Sequence, residues 1–452
     1  MSARLIEALA TTEKLADLFS DGAVIGAMVR FEVALAEAEA RVGVIPKAAA
    51  RAIAQAARPS TFDCAKLASD AFRAGTPAIP FVKQLTEVVR RRSATAAGYV
   101  HWGTTSQDVV DTALVLLLER AQPIIAEDLA RLEAALSEIS ERHKNTFMLG
   151  RTLLQPAPPI SFGLKAAGWL AAIRRGRQRL DDAFREALVL QFGGASGTLA
   201  SLGRKGIAVA RALAKELDLD LPEAPWHTQR DRLANLVCAC GVVTGSLGKM
   251  AADISLMMQF EVGEVSEPGG EGRGGSSTMP HKQNPVGCAL AIAAAARAPQ
   301  LVAAYLSTMP QEHERAVGGW QSEWPTMVAL VQATGTAASS MAEVAAGLKV
   351  DVKRMRENLE SSNGIVFAER AMMLLAKKTG RSEAHEIVQS AAKKSVTDRK
   401  RFAEVLAGMP GVNRYLDSSA LKRLELPEDY LGCAEEFRRA QVSRRKHSRK
   451  EK

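Results

Sequence analysis

Apolar residues recur at helical spacing over most of the chain, and the length of the periodic stretches divides it. Residues 1–99 read as short helices with polar breaks. Residues 25–42 carry an apolar face, Asp21-Gly22 punctuates before it, and Gly75-Thr76-Pro77-Ala78-Ile79-Pro80 interrupts a pattern that residues 81–89 resume. The middle differs in scale. There the periodicity predicts helices over 108–143, 161–190, 229–263, 285–309 and 325–348, longer than the usual globular helix, and such lengths imply a bundle. Several, including 237–258, are apolar or alanine-rich on more than one face, so one partner helix cannot cover them and burial against other subunits is expected. From Asp351 the helices shorten again, through 364–380 and 381–394, and neither a strand-rich region nor an internal repeat is evident. The expectation is an all-α chain in three parts: an N-terminal helical domain over 1–99, a central long-helix bundle over 100–348, and a C-terminal helical domain over 349–452 that ends in a basic tail from about 437.

Composition sharpens this picture in two places. Aromatic residues make up 5% of a chain that is 47% apolar, which favours close-packed helices over strands. The net charge of +9 is misleading as a guide to partners, because residues 437–452 hold eight Lys/Arg against one acid, so +7 of it sits in the tail. That tail reads as a solvated terminus, the alternative being nucleic-acid contact. The longest unbroken apolar run, 286–296, is too short to cross a bilayer, and no charged-apolar-small leader opens the chain. The five cysteines, Cys64, Cys238, Cys240, Cys288 and Cys433, show neither a disulfide framework nor zinc spacing, and no two histidines have ligand spacing with a third donor. A cytoplasmic protein without metal or cofactor is expected.

The candidate chemistry concentrates in Gly274-Gly275-Ser276-Ser277-Thr278-Met279-Pro280-His281-Lys282-Gln283-Asn284-Pro285, which follows Pro268-Gly269-Gly270-Glu271-Gly272-Arg273. Glycine frees the backbone, Met279-Pro280 stiffens the middle, and Asn284-Pro285 ends the stretch where a helix can begin. Hydroxyls, an imidazole, an ammonium and a carboxamide lie within nine residues, a set suited to closing over an anionic ligand. A plain Gly/Ser linker is the competing reading.

The string resembles the signature of the fumarase/aspartase superfamily, GSSxMPxKxNP, with every fixed position filled. His101-Trp102-Gly103-Thr104-Thr105-Ser106-Gln107-Asp108 resembles that superfamily's first region, and Gly150-Arg151-Thr152-Leu153-Leu154-Gln155-Pro156-Ala157 its second. Both are expected at ends of long helices, where hydroxyl and amide side chains cap the helix or hold a carboxylate. The resemblance implies a fumarase/aspartase-like fold whose central bundle assembles into a tetrameric helical core. It also implies a homotetramer in which three subunits build each active site. The shared chemistry removes a proton beside a carboxylate to give an aci-carboxylate, and a group leaves from the neighbouring carbon. By that resemblance Ser276 is the general base, needing Lys282 or main-chain donors to stabilise its alkoxide, and Lys282 and Asn284 stabilise the charge that develops. Thr105, Ser106, Gln107, Thr152, Gln155, Ser277 and Met279 join them as substrate-binding candidates.

Two positions depart from the amine- and hydroxide-expelling members, which carry a histidine in the second region and a glutamate five residues after the signature asparagine. Here Leu153 and Ala289 stand there. Amine and hydroxide leave poorly without a proton, whereas a carboxylate, with an acid pKa of about 4, leaves as a stable anion. Cycloisomerisation of a muconate fits: a substrate carboxylate adds to its own double bond, closing a lactone, and the adjacent carbon gains a proton, with orientation supplying most of the catalysis. Gly75-Thr76-Pro77-Ala78-Ile79-Pro80-Phe81-Val82-Lys83, Gln191-Phe192-Gly193-Gly194-Ala195-Ser196-Gly197-Thr198, Pro225-Trp226-His227-Thr228-Gln229-Arg230-Asp231, Gln311-Glu312-His313-Glu314-Arg315 and Gly319-Trp320-Gln321-Ser322-Glu323-Trp324 resemble the branch formed by bacterial carboxymuconate cycloisomerases, a likeness that runs to about Glu386.

The resemblance thus implies a small-molecule tricarboxylate, 3-carboxy-cis,cis-muconate, as substrate, and Arg151, His281, Lys282 and Arg315 as its cationic partners. His101 either contacts a carboxylate or fixes the turn. His143, His227, His313 and His385 read as structural. The rival reading is adenylosuccinate lyase or another C–N lyase, which shares the Met-Pro-His-Lys string but needs a proton donor for its amine. A non-catalytic homologue that binds nucleic acid through its tail is the rival outside enzymes, and an intact Ser276, Lys282 and Asn284 counts against it.

Overall fold

A computed structural model describes residues 5–270, 274–275, 278–279 and 282–443. The described chain is predominantly helical. Its long elements are α1 (Asp21–Val42), α2 (Ser106–Arg142), α3 (Phe162–Ala187), α4 (Asp231–Met257), α5 (Val286–Ser307) and α6 (Gly319–Ala346), followed by the shorter α7 (Ala368–Thr379) and α8 (Arg381–Asp398). The predominantly helical architecture with long central helices that the sequence predicts is the one observed.

The boundaries show where local signals were outweighed. Pro325, read as a helix start, lies inside α6, which begins at Gly319. Proline removes one backbone donor there, but Trp320 and Glu323 are buried in the added turn, and their packing and hydrogen bonds hold it helical. Similarly, Pro80 falls in the first turn of the Ala78–Arg92 helix, where its missing N–H has no intrahelical partner to lose. Pro123 and Pro299 likewise sit inside α2 and α5.

The chain forms two compact units, one made of Met1–Ala130, Arg175–Lys249 and Ala289–Met341, the other of Arg131–Arg174, Met250–Cys288 and Ala342–Lys452. In the first unit the start of α2 is enclosed on all sides: Leu114, Val115, Leu116, Leu117 and Leu118 are consecutive and all buried, which only a helix surrounded by others can satisfy. Helices α4 and α5 approach closely because glycines face the contact. A Cβ on Gly241 would lie 2.7 Å from Val302 Cγ2, and one on Gly248 2.3 Å from Ala295 Cβ. By length and composition α4 and α5 are each apolar enough to cross a membrane; α4 is mostly buried within the structure, whereas α5 leaves much of its apolar surface uncovered. The run that ended at Ala296 in sequence continues past Arg297 as helix to Ser307.

The second unit holds the strands that helical periodicity did not show. Strands β1 (Phe147–Thr152) and β2 (Gln155–Ser161) form an antiparallel hairpin whose last pair is Thr152 with Gln155. Its two turn residues, Leu153 and Leu154, have φ of 49° and 64°. Two-residue hairpins need that left-handed backbone, and Asn-Gly is its usual signal; leucines at the turn and prolines at 156, 158 and 159 hid it. The second superfamily-like stretch therefore lies on a hairpin and not at a helix end. A shorter ladder pairs β3 (Val265–Ser266) with β4 (Lys349–Val350). Further on, α7 and α8 pack Ala371, Leu375, Ala384 and Val388 with Phe402, Leu406 and Leu416 into a separate core cluster.

Candidate active site

The first unit gathers donors around the start of α2. The chain enters through His101, at φ 59°, and Gly103, at φ 71°, where a Cβ would meet Leu202 at 2.5 Å. Asp108, in the first turn, is wholly buried and its carboxylate is saturated. It accepts from Thr104 Oγ1 (3.1 Å) and Thr105 N (3.1 Å), closing the helix start in the manner of a capping box, and from Gln191 Nε2 (3.1 Å), Gly193 N (3.0 Å) and Gly194 N (2.9 Å). His227 Nε2 lies 2.8 Å from the same carboxylate. Asp108 thereby draws residues far apart in sequence onto the end of one helix.

Over that end lies Arg315. Its guanidinium donates to Thr105 Oγ1 (2.6 Å), Ser106 Oγ (3.0 Å) and Gln107 Oε1 (3.2 Å), and its carbon sits 5.9 Å from the centroid of the Trp320 ring. All three acceptors are neutral, and Arg315 meets no carboxylate among the described residues. A positive charge anchored by neutral groups at a helix N-terminus keeps its attraction for an anion. His101 lies at the same helix end: burial works against its charge, but the Glu32 carboxylate, 2.5 Å from Nδ1, and Asp108 outweigh it and raise its pKa above the ordinary 6.5.

Beneath this cluster a buried ionic group supports it. Arg230 donates to Asp111 through Nη1 (2.7 Å) and Nη2 (3.1 Å), and to Glu323 through Nε (3.0 Å) and Nη2 (2.6 Å), with all three side chains fully buried. Glu323 also accepts from Tyr305 Oη (3.0 Å) and Gln311 Nε2 (2.6 Å). Burial raises the Glu323 pKa, opposed by the charge and hydrogen bonds of Arg230.

In the second unit, Arg151 extends from β1 to Glu264, donating from Nη1 (2.9 Å) and Nη2 (2.7 Å) to its two oxygens, and Asn358 Nδ2 donates to Glu264 as well (2.9 Å). Its charge is thus matched within the chain. Thr152 and Gln155 flank the hairpin turn, exposed, and Leu153 is 96% exposed. The signature loop is tied at its stem. Buried Glu267 accepts from Gly287 N (2.9 Å) and Cys288 N (2.8 Å) at the start of α5, and Asn284 N donates to Gly274 O (2.8 Å). Gly274 has φ 72°, and a Cβ there would meet Asn284 O at 2.9 Å, so glycine is required. Asn284 Nδ2 lies 3.4 Å from Gly275 O, Lys282 N donates to Met279 O (3.0 Å), and the Lys282 and Met279 side chains are exposed. Ser276, Ser277 and His281 lie outside the described residues.

The structure therefore unites Thr105, Ser106, Gln107 and Arg315, places His101 on Glu32, and puts Arg151, Thr152 and Gln155 on one hairpin. Sequence reasoning missed Glu32, Asp108, Asp111, Arg230, Glu264, Glu267 and Glu323 as organisers. Asp108, Arg230 and Glu323 stood inside the quoted strings, so proximity to motifs was the available signal; Glu32, Glu264 and Glu267 gave none beyond being acids in apolar surroundings. Among the described residues no group of three His, Cys, Asp or Glu side chains is arranged to hold a metal ion.

The sequence model of the family described as Lyase matches residues 8–299, and that of the adenylosuccinate lyase C-terminus matches 364–440. A 3-carboxy-cis,cis-muconate cycloisomerase of Bradyrhizobium diazoefficiens is 48% identical over 415 residues, 92% of each chain, and one of Pseudomonas aeruginosa is 47% identical over 431 residues, 95% of this chain and 94% of its own. The crystal structure of the 3-carboxy-cis,cis-muconate lactonizing enzyme from Pseudomonas putida superposes with a TM-score of 0.91 at 44% identity, covering 97% of this chain and 98% of that one. With a signature loop, a donor-lined helix start and a whole-length likeness in agreement, the chain belongs to the lyase family of the fumarase/aspartase superfamily.

Proposed function

We propose that the chain is an intramolecular lyase that interconverts 3-carboxy-cis,cis-muconate and 4-carboxymuconolactone in protocatechuate breakdown. The observation that carries this reading is the apolar pair Leu153 and Ala289, which leaves the two positions that serve an amine or hydroxide leaving group without a proton to give. A carboxylate needs none. One substrate carboxylate adds to the double bond and closes the lactone, and the neighbouring carbon takes a proton.

The residues divide the work as follows. Arg315, with the Thr105 and Ser106 hydroxyls and Gln107, receives a substrate carboxylate, and His101, paired with Glu32, lines the same helix end. Ser276 delivers the proton in the lactonising direction, while Lys282 and Asn284 stabilise the aci-carboxylate. Thr152, Gln155, Ser277, Met279 and His281 complete the binding surface. Arg151, already matched by Glu264, brings N–H donors without net charge. No cofactor enters this scheme.

The working form in this proposal is a cytoplasmic homotetramer with three subunits contributing to each site. Uncovered apolar side chains on α4 and α5, Val242, Leu256, Ile292 and Leu306, support it, as do the exposed leucines of the hairpin turn. The same faces are assigned here to copies of the chain, neither to lipid nor to nucleic acid.

Purified protein incubated with carboxymuconate in deuterated water tests the reading. NMR is expected to show a single lactone carrying one deuterium beside the new ring carbon. Adenylosuccinate cleavage is the second reading, favoured by the match of residues 364–440 to the adenylosuccinate lyase C-terminus. Turnover of adenylosuccinate alone in the same preparation overturns the proposal.

A further inference from the structure

We propose that Asp111 is a positioning residue for the carboxylate site, fixing both the Gln107 amide and the Trp320 indole that flank Arg315. The proposal rests on the cycloisomerase reading for the substrate used to test it and for Arg315 as the group that receives a substrate carboxylate. Its basis is the arrangement of donors around one buried carboxylate. Asp111 Oδ2 accepts from Gln107 Nε2 (3.2 Å) and Arg230 Nη1 (2.7 Å); Oδ1 accepts from Trp320 Nε1 (2.9 Å) and Arg230 Nη2 (3.1 Å). Each oxygen takes one bond from Arg230 and one from a residue beside Arg315.

That symmetry decides which way Gln107 faces. Its Nε2 donates to Asp111 and to His227 O (2.8 Å), so its Oε1 is the atom presented to Arg315 Nε. Reversed, the amide would direct an NH2 group at the guanidinium and its oxygen at both the Asp111 carboxylate and the His227 carbonyl, three repulsions in place of three hydrogen bonds. The Trp320 ring beneath the guanidinium is likewise held by its N–H on Asp111. A buried ion pair is weak as a stabilising device, since desolvation consumes most of its attraction. Here the carboxylate sets the direction of two groups in contact with the substrate-facing cation, a role an apolar replacement cannot fill.

Asp111→Asn separates this role from a structural one. The asparagine has one oxygen and one NH2 for four donors, so whichever way it turns, either Gln107 or Trp320 faces an N–H. Arg230 meets one N–H in both orientations and does not choose between them. With Trp320 keeping the oxygen, Gln107 Nε2 faces an N–H, and because His227 O holds the amide against reversal, the side chain is displaced from its place beside Arg315. The expected result is a KM for carboxymuconate raised at least tenfold with kcat changed less than threefold. Adding Trp320→Phe removes the competing donor and lets the asparagine oxygen turn to Gln107, so the D111N/W320F double variant is expected to recover most of the lost KM relative to D111N.

Wild-type KM in D111N, or additive losses in the double variant, overturns the proposal. Should D111N fail to yield folded protein, Trp320→Phe alone still decides it: a two- to fivefold rise in KM is expected, and an unchanged KM overturns it. Failure of wild-type protein to convert carboxymuconate would instead strike the functional reading, and the orientation of Gln107 would then be read from the substrate-independent binding of muconate, measured as a ligand-induced shift in thermal midpoint, with loss of that shift in D111N expected and its persistence overturning the proposal.

Discussion

The start of α2 and the tip of the β1–β2 hairpin both carry superfamily-like polar strings, yet they treat their polar groups in opposite ways. At the helix start the carboxylates are fully engaged: Asp108 takes donors from three segments, Asp111 from three residues, and Thr105, Ser106 and Gln107 each hold one arm of Arg315. At the hairpin, Arg151 is matched by Glu264, but Thr152 and Gln155 stand exposed beside two leucines whose left-handed backbone has no compensating contact among the described residues. Under the function proposed above, the first serves as a receptor built in advance, its donors already oriented by one another. The second is half of an arrangement, with strain and apolar exposure that only a further surface can repay.

This contrast assigns binding to the one region and chemistry to what the loop brings, and it can be broken by kinetics. The largest effect is expected from Ser276→Ala: kcat lower by about 10³, within the range of a lost general acid or base, with KM near wild type. Steady-state turnover of carboxymuconate measures it, and retention of most activity removes Ser276 from the mechanism. Next is Arg315→Lys. An ammonium cannot reach Thr105, Ser106 and Gln107 from one planar fork, so kcat/KM is expected to fall about 10- to 100-fold, carried by KM. Were the serine variant to lose binding and the arginine variant only turnover, the division drawn here would be reversed.

The smallest effect on activity and a distinct one on stability is expected at Glu39. It is buried, neither of its carboxylate oxygens has a hydrogen-bond partner, and burial, with the charge of Glu32 adding to it, pushes its pKa up to about 9. The folded state thus keeps a proton that the unfolded chain releases above its ordinary value of 4.5. Stability from this group is fully present below that value and is lost as pH rises towards 9. Glu39→Gln, isosteric and uncharged, is expected to flatten the decline in unfolding free energy between pH 5 and 9 and to leave turnover unchanged. Urea melts at pH 6 and 8.5 measure this, and parallel slopes for the two proteins would show that Glu39 is ionised in the folded state.

Much of the framework was legible because long helices announce themselves by period. The five long segments of the central region appear where the apolar spacing placed them, with ends displaced by a few residues and with Pro325 inside a helix it was expected to begin. The hairpin was not legible: its turn has leucines where the conformation favours Asn-Gly, and its strands carry prolines. Of the site, the strings were visible but their connections were not. Nothing in the spacing of Asp108, Gln191 and His227 reveals that one carboxylate joins them, since a hydrogen bond between residues 83 or 119 apart leaves no periodic trace.

By itself, then, the sequence determined which residue types were present for chemistry: a donor-rich loop, hydroxyls and an amide before a helix, and leucine and alanine where a proton donor would otherwise stand. Those are properties of single positions, and composition carries them. Tertiary structure alone decided which charges remain available. Arg151 and Arg315 are equivalent as letters, yet the fold sets a buried carboxylate against the first and only neutral oxygens against the second. The reason is physical: the worth of a charge depends on its surroundings, on desolvation and on the nearest counter-charge, and these come from segments brought together in space.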